Sequence, residues 1–72
     1  MKLATNIRFL RKSHRMNQAE LAKELGYRSF TTIQKWETGS SEPPVSTLLK
    51  LCELFDVSID EIISADLPGV NA

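Results

Sequence analysis

Apolar side chains recur along the chain at intervals of three and four residues, and no run alternates between apolar and polar beyond a few residues. Leu3, Ile7 and Leu10 illustrate the spacing, which puts them on one face of a first helix covering roughly residues 3–14. Alternation is the pattern of a half-buried strand, so its absence predicts an all-α fold. Over the whole chain the same spacing predicts five short helices with short connections.

Capping residues and glycines mark the second and third helices. Asn17 can cap a helix start, and Glu20, three residues later, can complete a capping box. Gly26 is expected to end this short second helix in the left-handed conformation. Ser29 can cap a third helix that runs to Thr38.

Proline and capping signals predict two further helices. A fourth helix follows the prolines at 43 and 44, and its apolar face is expected from Leu48, Leu49, Leu51, Cys52 and Phe55. Ser58 and Glu61 form a second capping-box pattern, which opens a fifth helix. We expect one domain over residues 1–66, with residues 67–72 as a C-terminal tail or the start of a linker, turning at Pro68 and Gly69.

The chain's 72 residues suffice for one small domain, whose modest core leaves little room for a large catalytic cavity. The net charge is zero, yet its distribution is uneven. Residues 1–35 carry eight cationic and two anionic side chains, a net +6, and residues 36–72 carry one and seven, a net −6. This asymmetry favours a basic half that faces an anion, although ordinary solvated surface also accounts for it.

Several functional classes are disfavoured. One cysteine and one histidine cannot form a disulfide framework or a His/Cys metal centre, so we expect no metal and no cofactor. The single cysteine and the single histidine are not supported by the other residues of a catalytic triad, and no Gly-rich phosphate loop occurs. We therefore do not expect an enzyme. No apolar run spans a membrane and the N-terminus does not resemble a secretory signal, so we expect a cytoplasmic protein.

Two short helices that meet across a tight turn are typical of a helix-turn-helix, in which the second helix enters the major groove of DNA. The segment 7–63 resembles the Cro/CI-type (XRE) family of phage repressors and bacterial regulators, with a lambda-repressor-like fold. The residues that carry the resemblance are Ile-Arg-Phe-Leu-Arg at 7–11, Asn-Gln-Ala-Glu-Leu-Ala at 17–22, Leu25-Gly26, Thr32-Ile33, Lys35-Trp36-Glu37-Thr38-Gly39, Glu42-Pro43, Leu48-Leu49-Lys50-Leu51 and Val57-Ser58-Ile59-Asp60-Glu61. The stretch from Gly26 to Ile33 is one residue longer than the family pattern, which leaves the first residue of the third helix open.

Helical register then predicts which side chains of the third helix face DNA. Ile33 and Trp36 are expected in the core, so the outward and forward positions are the candidate base readers: Ser29, Phe30, Thr31, Gln34 and Lys35. Gln34 suits adenine, and Lys35 suits guanine or a phosphate. The Phe30 ring can only contact a thymine methyl or shield a base edge; packing inside the protein is the alternative.

Other polar residues are candidates for phosphate contacts. The resemblance implies that Gln18 binds a backbone phosphate, and the free N–H groups at a helix start agree with this. The further phosphate candidates are Arg11, Asn17, Arg28, Thr32 and Thr38, with Asn17 expected to act first as a cap. The resemblance also implies a structural pair between Arg11 and Glu37.

These features together indicate a sequence-specific, double-stranded DNA-binding transcriptional regulator. We expect a repressor that binds a palindromic operator as a homodimer. The C-terminal helix is expected to supply the dimer contact, since Ile59, Ile62 and Ile63 exceed what so small a core needs. A protein-interaction module or an antitoxin with the same fold is the alternative. The operator, the regulated genes, any inducer, activation in place of repression, and a larger parent protein stay open.

Overall fold

A computed structural model describes residues 2–70 of the chain. The molecule measures 32 × 24 × 22 Å, and the described residues form helices and turns without any strand. The all-α prediction is therefore confirmed. In residues 2–70, no helix combines the length and the apolar character that crossing a membrane requires.

The described residues contain six helices, and the first five follow the predicted order. Their bounds are α1 Leu3–Ser13, α2 Gln18–Glu24, α3 Thr31–Thr38, α4 Val45–Phe55, α5 Ile59–Ser64 and α6 Leu67–Val70. α1 packs against α3, α5 and α6, while α2 contacts α3 and α4 contacts α5. The first helix is thus the central support of the domain.

Each of the first five helices contributes one fully buried aliphatic side chain to a single core. These side chains are Ile7, Leu21, Ile33, Leu51 and Ile62. Burying a side chain of this size stabilises a fold by about 1.5–3 kcal/mol. The core is therefore shared among the first five helices, and the orientation of α3 depends on the others.

Both predicted capping boxes are present. The Asn17 side chain accepts a hydrogen bond from the Glu20 backbone N–H, and the Glu20 side chain accepts one from the Asn17 N–H. Ser58 and Glu61 make the same reciprocal pair at the start of α5. These local signals gave the helix starts correctly because the bonds involve residues only three apart in the chain.

Cys52 lies in the core, as its position on the apolar face of α4 predicts. Burial raises the pKa of the Cys52 thiol, so the side chain stays protonated at neutral pH. It behaves as a small apolar residue.

The structure corrects three expectations. Residues 67–70 form a short sixth helix, and Leu67 is buried, where the sequence analysis expected an irregular tail; positions 71 and 72 of that tail lie outside the described residues. Leu49 is exposed and does not belong to the apolar face of α4. Ile62 is fully buried, and Ile59 and Ile63 are partly buried against the core, so the core takes up most of the apolar surface that was expected to be surplus.

Candidate nucleic-acid interface

The corner between α2 and α3 is built around Gly26, which has a left-handed φ of +85°. The N–H of Gly26 donates to the carbonyl of Lys23 at 3.1 Å, and the N–H of Tyr27 donates to the carbonyl of Ala22 at 2.8 Å. This pair of bonds is a Schellman motif, which satisfies the last carbonyls of the helix and needs a left-handed residue. α2 consequently ends sharply where the sequence predicts it.

Tyr27 fixes this corner to the helices that follow. Its ring packs edge-on against Trp36 of α3 with the ring centroids 5.5 Å apart, and its hydroxyl lies 3.0 Å from the hydroxyl of Thr47 in α4. Trp36 is buried, as predicted, so the contact also covers the inner face of α3. The turn is therefore held from two sides.

The start of α3 is now defined. The carbonyl of Phe30 accepts the first helical bond, from the N–H of Gln34 at 3.0 Å, so the cap position belongs to Phe30. Ser29 lies one residue before this cap, and its hydroxyl oxygen accepts a bond from the Thr31 N–H at 3.1 Å. Ser29 thus orders the first turn of α3 without being the cap residue that the sequence analysis expected.

The outer face of α3 is polar and open. Thr31, Gln34 and Lys35 are exposed and lie three and four residues apart, which places them on one side of the helix. Ile33 and Trp36 on the other side are buried. The structure therefore brings these three predicted base readers onto one surface, with Ser29 and Phe30 exposed at its leading end.

A buried ion pair fixes α3 to α1. The Nε of Arg11 donates to Oε2 of Glu37 at 2.6 Å, and its Nη2 donates to Oε1 at 3.0 Å. The Nη1 of Arg11 donates to the carbonyl of Met16 at 2.7 Å. The side chains of Arg11 and Glu37 are only 9% and 4% exposed. This bidentate pair joins the last turns of α1 and α3 in a nearly dry environment.

The burial of Arg11 bears on its expected contact with a phosphate. All three nitrogens of its side chain donate bonds inside the protein, and little of the guanidinium reaches solvent. The arrangement makes Arg11 a positioning residue for α3. It gives no support to a direct contact between Arg11 and DNA.

Gln18, the first residue of α2, extends the same network. Its Nε2 donates to Oε1 of Glu37 at 3.1 Å, and the side chain is partly exposed. An amide nitrogen carries two hydrogens, so the second can donate outward. Glu37 therefore orients the residue that stands at the start of α2, where backbone N–H groups favour an anion. The Asn17 side chain next to it is engaged in the capping box.

The remaining phosphate candidates differ in exposure. Arg28 is exposed in the turn before α3, and Thr32 is partly buried. The Thr38 hydroxyl donates to the carbonyl of Lys35 at 3.2 Å and lies 3.0 Å from the hydroxyl of Ser40. Arg28 is thus the one cation among these three residues, and it is exposed.

Several residues that position this surface were not predicted from the sequence. The sequence-based predictions give Tyr27 no role, although it links the turn to α3 and α4. The carbonyl of Met16 accepts the third hydrogen bond of the Arg11 side chain, and no sequence signal marks a backbone acceptor. An aromatic residue with a polar tip beside a helix-ending glycine was the one available sign for Tyr27.

Comparison with known proteins agrees with this geometry. The helix-turn-helix family model matches residues 7–62. An HTH-type transcriptional activator, BcrR of Enterococcus faecalis, is 35% identical over 92% of this chain and 32% of its own length. The cryptic phage CTXphi transcriptional repressor RstR of Vibrio cholerae is 34% identical over 86% of this chain and 54% of its own length.

A third relative, the antitoxin PezA of Streptococcus pneumoniae, is 31% identical over 89% of this chain and 40% of its own length. The chain spans between about a third and about half of these relatives. No solved structure matches it significantly. The family model covers most of the chain, and the matched residues contain the turn, the exposed face of α3 and the Arg11–Glu37 pair. The chain belongs to the helix-turn-helix family, in its Cro/CI-type (XRE) group of DNA-binding domains.

Proposed function

We propose that this protein is a sequence-specific, double-stranded DNA-binding transcriptional regulator that inserts α3 into the major groove. One observation carries the proposal. Thr31, Gln34 and Lys35 form an exposed polar face on a helix whose opposite face is locked into the core by Ile33 and Trp36. Such a helix can present hydrogen-bonding side chains to base edges without rearranging.

Each side chain has a defined task in this proposal. Gln34 makes paired hydrogen bonds to adenine, and Lys35 donates to guanine acceptors or to a phosphate. Gln18 and Arg28 hold the DNA backbone, which fixes the register of α3 on the duplex. Glu37 keeps Gln18 and Arg11 in place behind this surface.

We further propose that the protein binds a palindromic operator as a homodimer, with half-sites about one helical turn apart. We assign the contact to α5, the helix that was expected to be C-terminal, where Ile59 and Ile63 are only partly buried and keep some apolar surface. The proposed effect is repression, because a bound domain can block access to a promoter with no further contact. The relatives include one protein named as an activator and one named as a repressor.

Selection of bound sites from random double-stranded DNA at low salt tests these proposals. We expect an inverted repeat from the unaltered chain, and loss of specificity at one position in each half-site for Gln34→Ala. Lys50→Ala is the matched control, since Lys50 is an exposed residue of α4 and not one of the proposed base readers. A motif without a repeat would overturn the dimer and leave the DNA-binding proposal standing.

A protein-interaction module or an antitoxin is the second candidate, favoured by the similarity to PezA. The net +6 of residues 1–35 favours DNA instead. Recovery of no motif, from protein shown by circular dichroism to be helical, would favour the interaction module and overturn the regulator.

A further inference from the structure

Phe30 is a large apolar side chain at the leading end of α3, and half of its surface is exposed. Scattered exposed apolar residues are ordinary on protein surfaces, so exposure alone decides nothing. Its position is informative, because among the described residues the other exposed large apolar side chains, Val45, Leu49, Leu54 and Val70, all lie within residues 36–72, the acidic half of the chain. Within the described part of residues 1–35, the basic half, Phe30 is the one member of this group.

The backbone directs Phe30 to the same side as the candidate base readers. Its φ of −67° and ψ of −16° are helical, and its carbonyl accepts the N–H of Gln34. Phe30 and Gln34 are therefore four residues apart on one helical face. The bond from the Thr31 N–H to the Ser29 hydroxyl orders this first turn, so the ring is presented by a defined backbone.

The chemistry of the major groove leaves one partner for such a ring. A phenyl group has no hydrogen-bond donor or acceptor, and the C5 methyl group of thymine is the largest apolar group on the base edges in the groove. The first turn of a recognition helix is the part that reaches base edges. We propose that Phe30 reads the C5 methyl group of a thymine in each half-site, an inference that rests on the proposed DNA binding.

Uracil provides the test because it differs from thymine only by lacking this methyl group. In the operator obtained by site selection, each thymine is replaced in turn by deoxyuridine, and the Kd is measured for the unaltered protein and for Phe30→Ala. We expect one thymine per half-site at which uracil weakens binding by the unaltered protein about fourfold, the effect of burying one methyl group. The same replacement should leave the affinity of Phe30→Ala unchanged.

Two variants control the comparison. Lys35→Ala is expected to bind more weakly overall and to keep the uracil penalty, because Lys35 makes polar contacts only. Phe30→Leu is expected to keep part of the penalty. Phe30 lies outside the buried core, so its replacement should leave the helical circular dichroism and the Tm close to those of the unaltered chain.

Each other outcome overturns the inference in a recognisable way. An equal uracil penalty for the unaltered protein and for Phe30→Ala would assign the methyl contact to another side chain. Weaker binding of Phe30→Ala to every DNA, with no uracil penalty anywhere, would assign Phe30 to a contact other than thymine. Both results leave the DNA-binding proposal intact, whereas failure to recover any site would overturn both.

Discussion

A buried amide, Asn6, joins the beginning of the fold to its end. Its Nδ2 donates to the carbonyls of Ile62 and Ala65 at 2.9 and 2.7 Å, and its Oδ1 accepts the N–H of Leu67 at 3.2 Å. The side chain is fully buried. These bonds satisfy backbone groups where α5 ends and α6 begins, groups that would otherwise lack water as a partner.

We expect Asn6→Ala to destabilise the domain by about 2–4 kcal/mol, because each buried group left without its partner costs about 1–3 kcal/mol. Urea unfolding followed by circular dichroism measures the change. Thr5→Ala, at an exposed position on the same helix, should change stability by less than about 0.5 kcal/mol. Equal stability of Asn6→Ala and Thr5→Ala would contradict the role assigned to Asn6.

Glu37 is a second residue whose replacement is expected to reduce stability strongly. Removing one partner of a buried ion pair costs about 3–5 kcal/mol, since the remaining charge stays in a dry environment. We therefore expect Glu37→Ala to lower both stability and affinity for DNA. In urea unfolding, Arg11→Met with Glu37→Met should be more stable than Glu37→Met alone, since no charge is then stranded. Unchanged stability of Glu37→Ala would count against the pairing.

At the scale of elements, the first four helices end through a left-handed residue. Gly26 and Gly39 follow α2 and α3 with φ of +85° and +80°, whereas Arg15 and Asp56 follow α1 and α4 with φ of +56° and +55°. A Cβ added at Gly26 or Gly39 meets no atom within 4 Å, so substitution there carries conformational strain alone. Asp56 already bears a comparable strain, because a side chain disfavours this region.

We expect Asp56→Gly to stabilise the domain by about 0.5–1 kcal/mol, which would raise Tm by several degrees in a domain of this size. Gly39→Ala is the reciprocal control and should destabilise by about 1 kcal/mol. Thermal unfolding of the two variants beside the unaltered chain measures both effects. A lower Tm for Asp56→Gly than for the unaltered chain would show that contacts of the aspartate side chain stabilise the domain by more than its left-handed backbone destabilises it.

Elements whose signals are local were predictable from the sequence. The capping boxes at Asn17 and Ser58, and the glycine that ends α2, involve residues within one turn of each other. α6 was missed because Pro68 and Gly69 suggest a turn, whereas Leu67 is placed by its burial in the core. Local propensity gives way to such tertiary contacts.

Contacts between residues far apart in the chain could not be predicted from the sequence. The contacts of Asn6 lie 56 to 61 residues away in the chain, and no local pattern announces them. The expectation that the isoleucines of α5 exceed what the core needs was wrong for Ile62, because this side chain is fully buried in the shared core. The outward side chains of α3 followed from register because Ile33 and Trp36 fix one face, which leaves the opposite face exposed.

For the whole molecule, the separation of charge along the chain has a measurable consequence. The exposed cations of residues 1–35 include Lys35 on the outer face of α3 and Arg28 in the turn before it, whereas Lys50 on α4 is the single cation of residues 36–72. Each phosphate neutralised by a cation releases counterions, so the logarithm of affinity falls with the logarithm of salt concentration by about 0.9 per contact. The acidic half should add nothing to this slope.

We therefore expect Arg28→Gln to weaken binding similarly to all DNA sequences and to reduce the salt slope by about one contact. Lys50→Gln removes the same formal charge from the whole chain and should leave the slope unchanged. Fluorescence anisotropy across a salt series, with selected and scrambled duplexes, separates the two effects. Equal reductions for both variants would mean that DNA responds to net charge alone, and the assignment of the basic half to the phosphate backbone would fail.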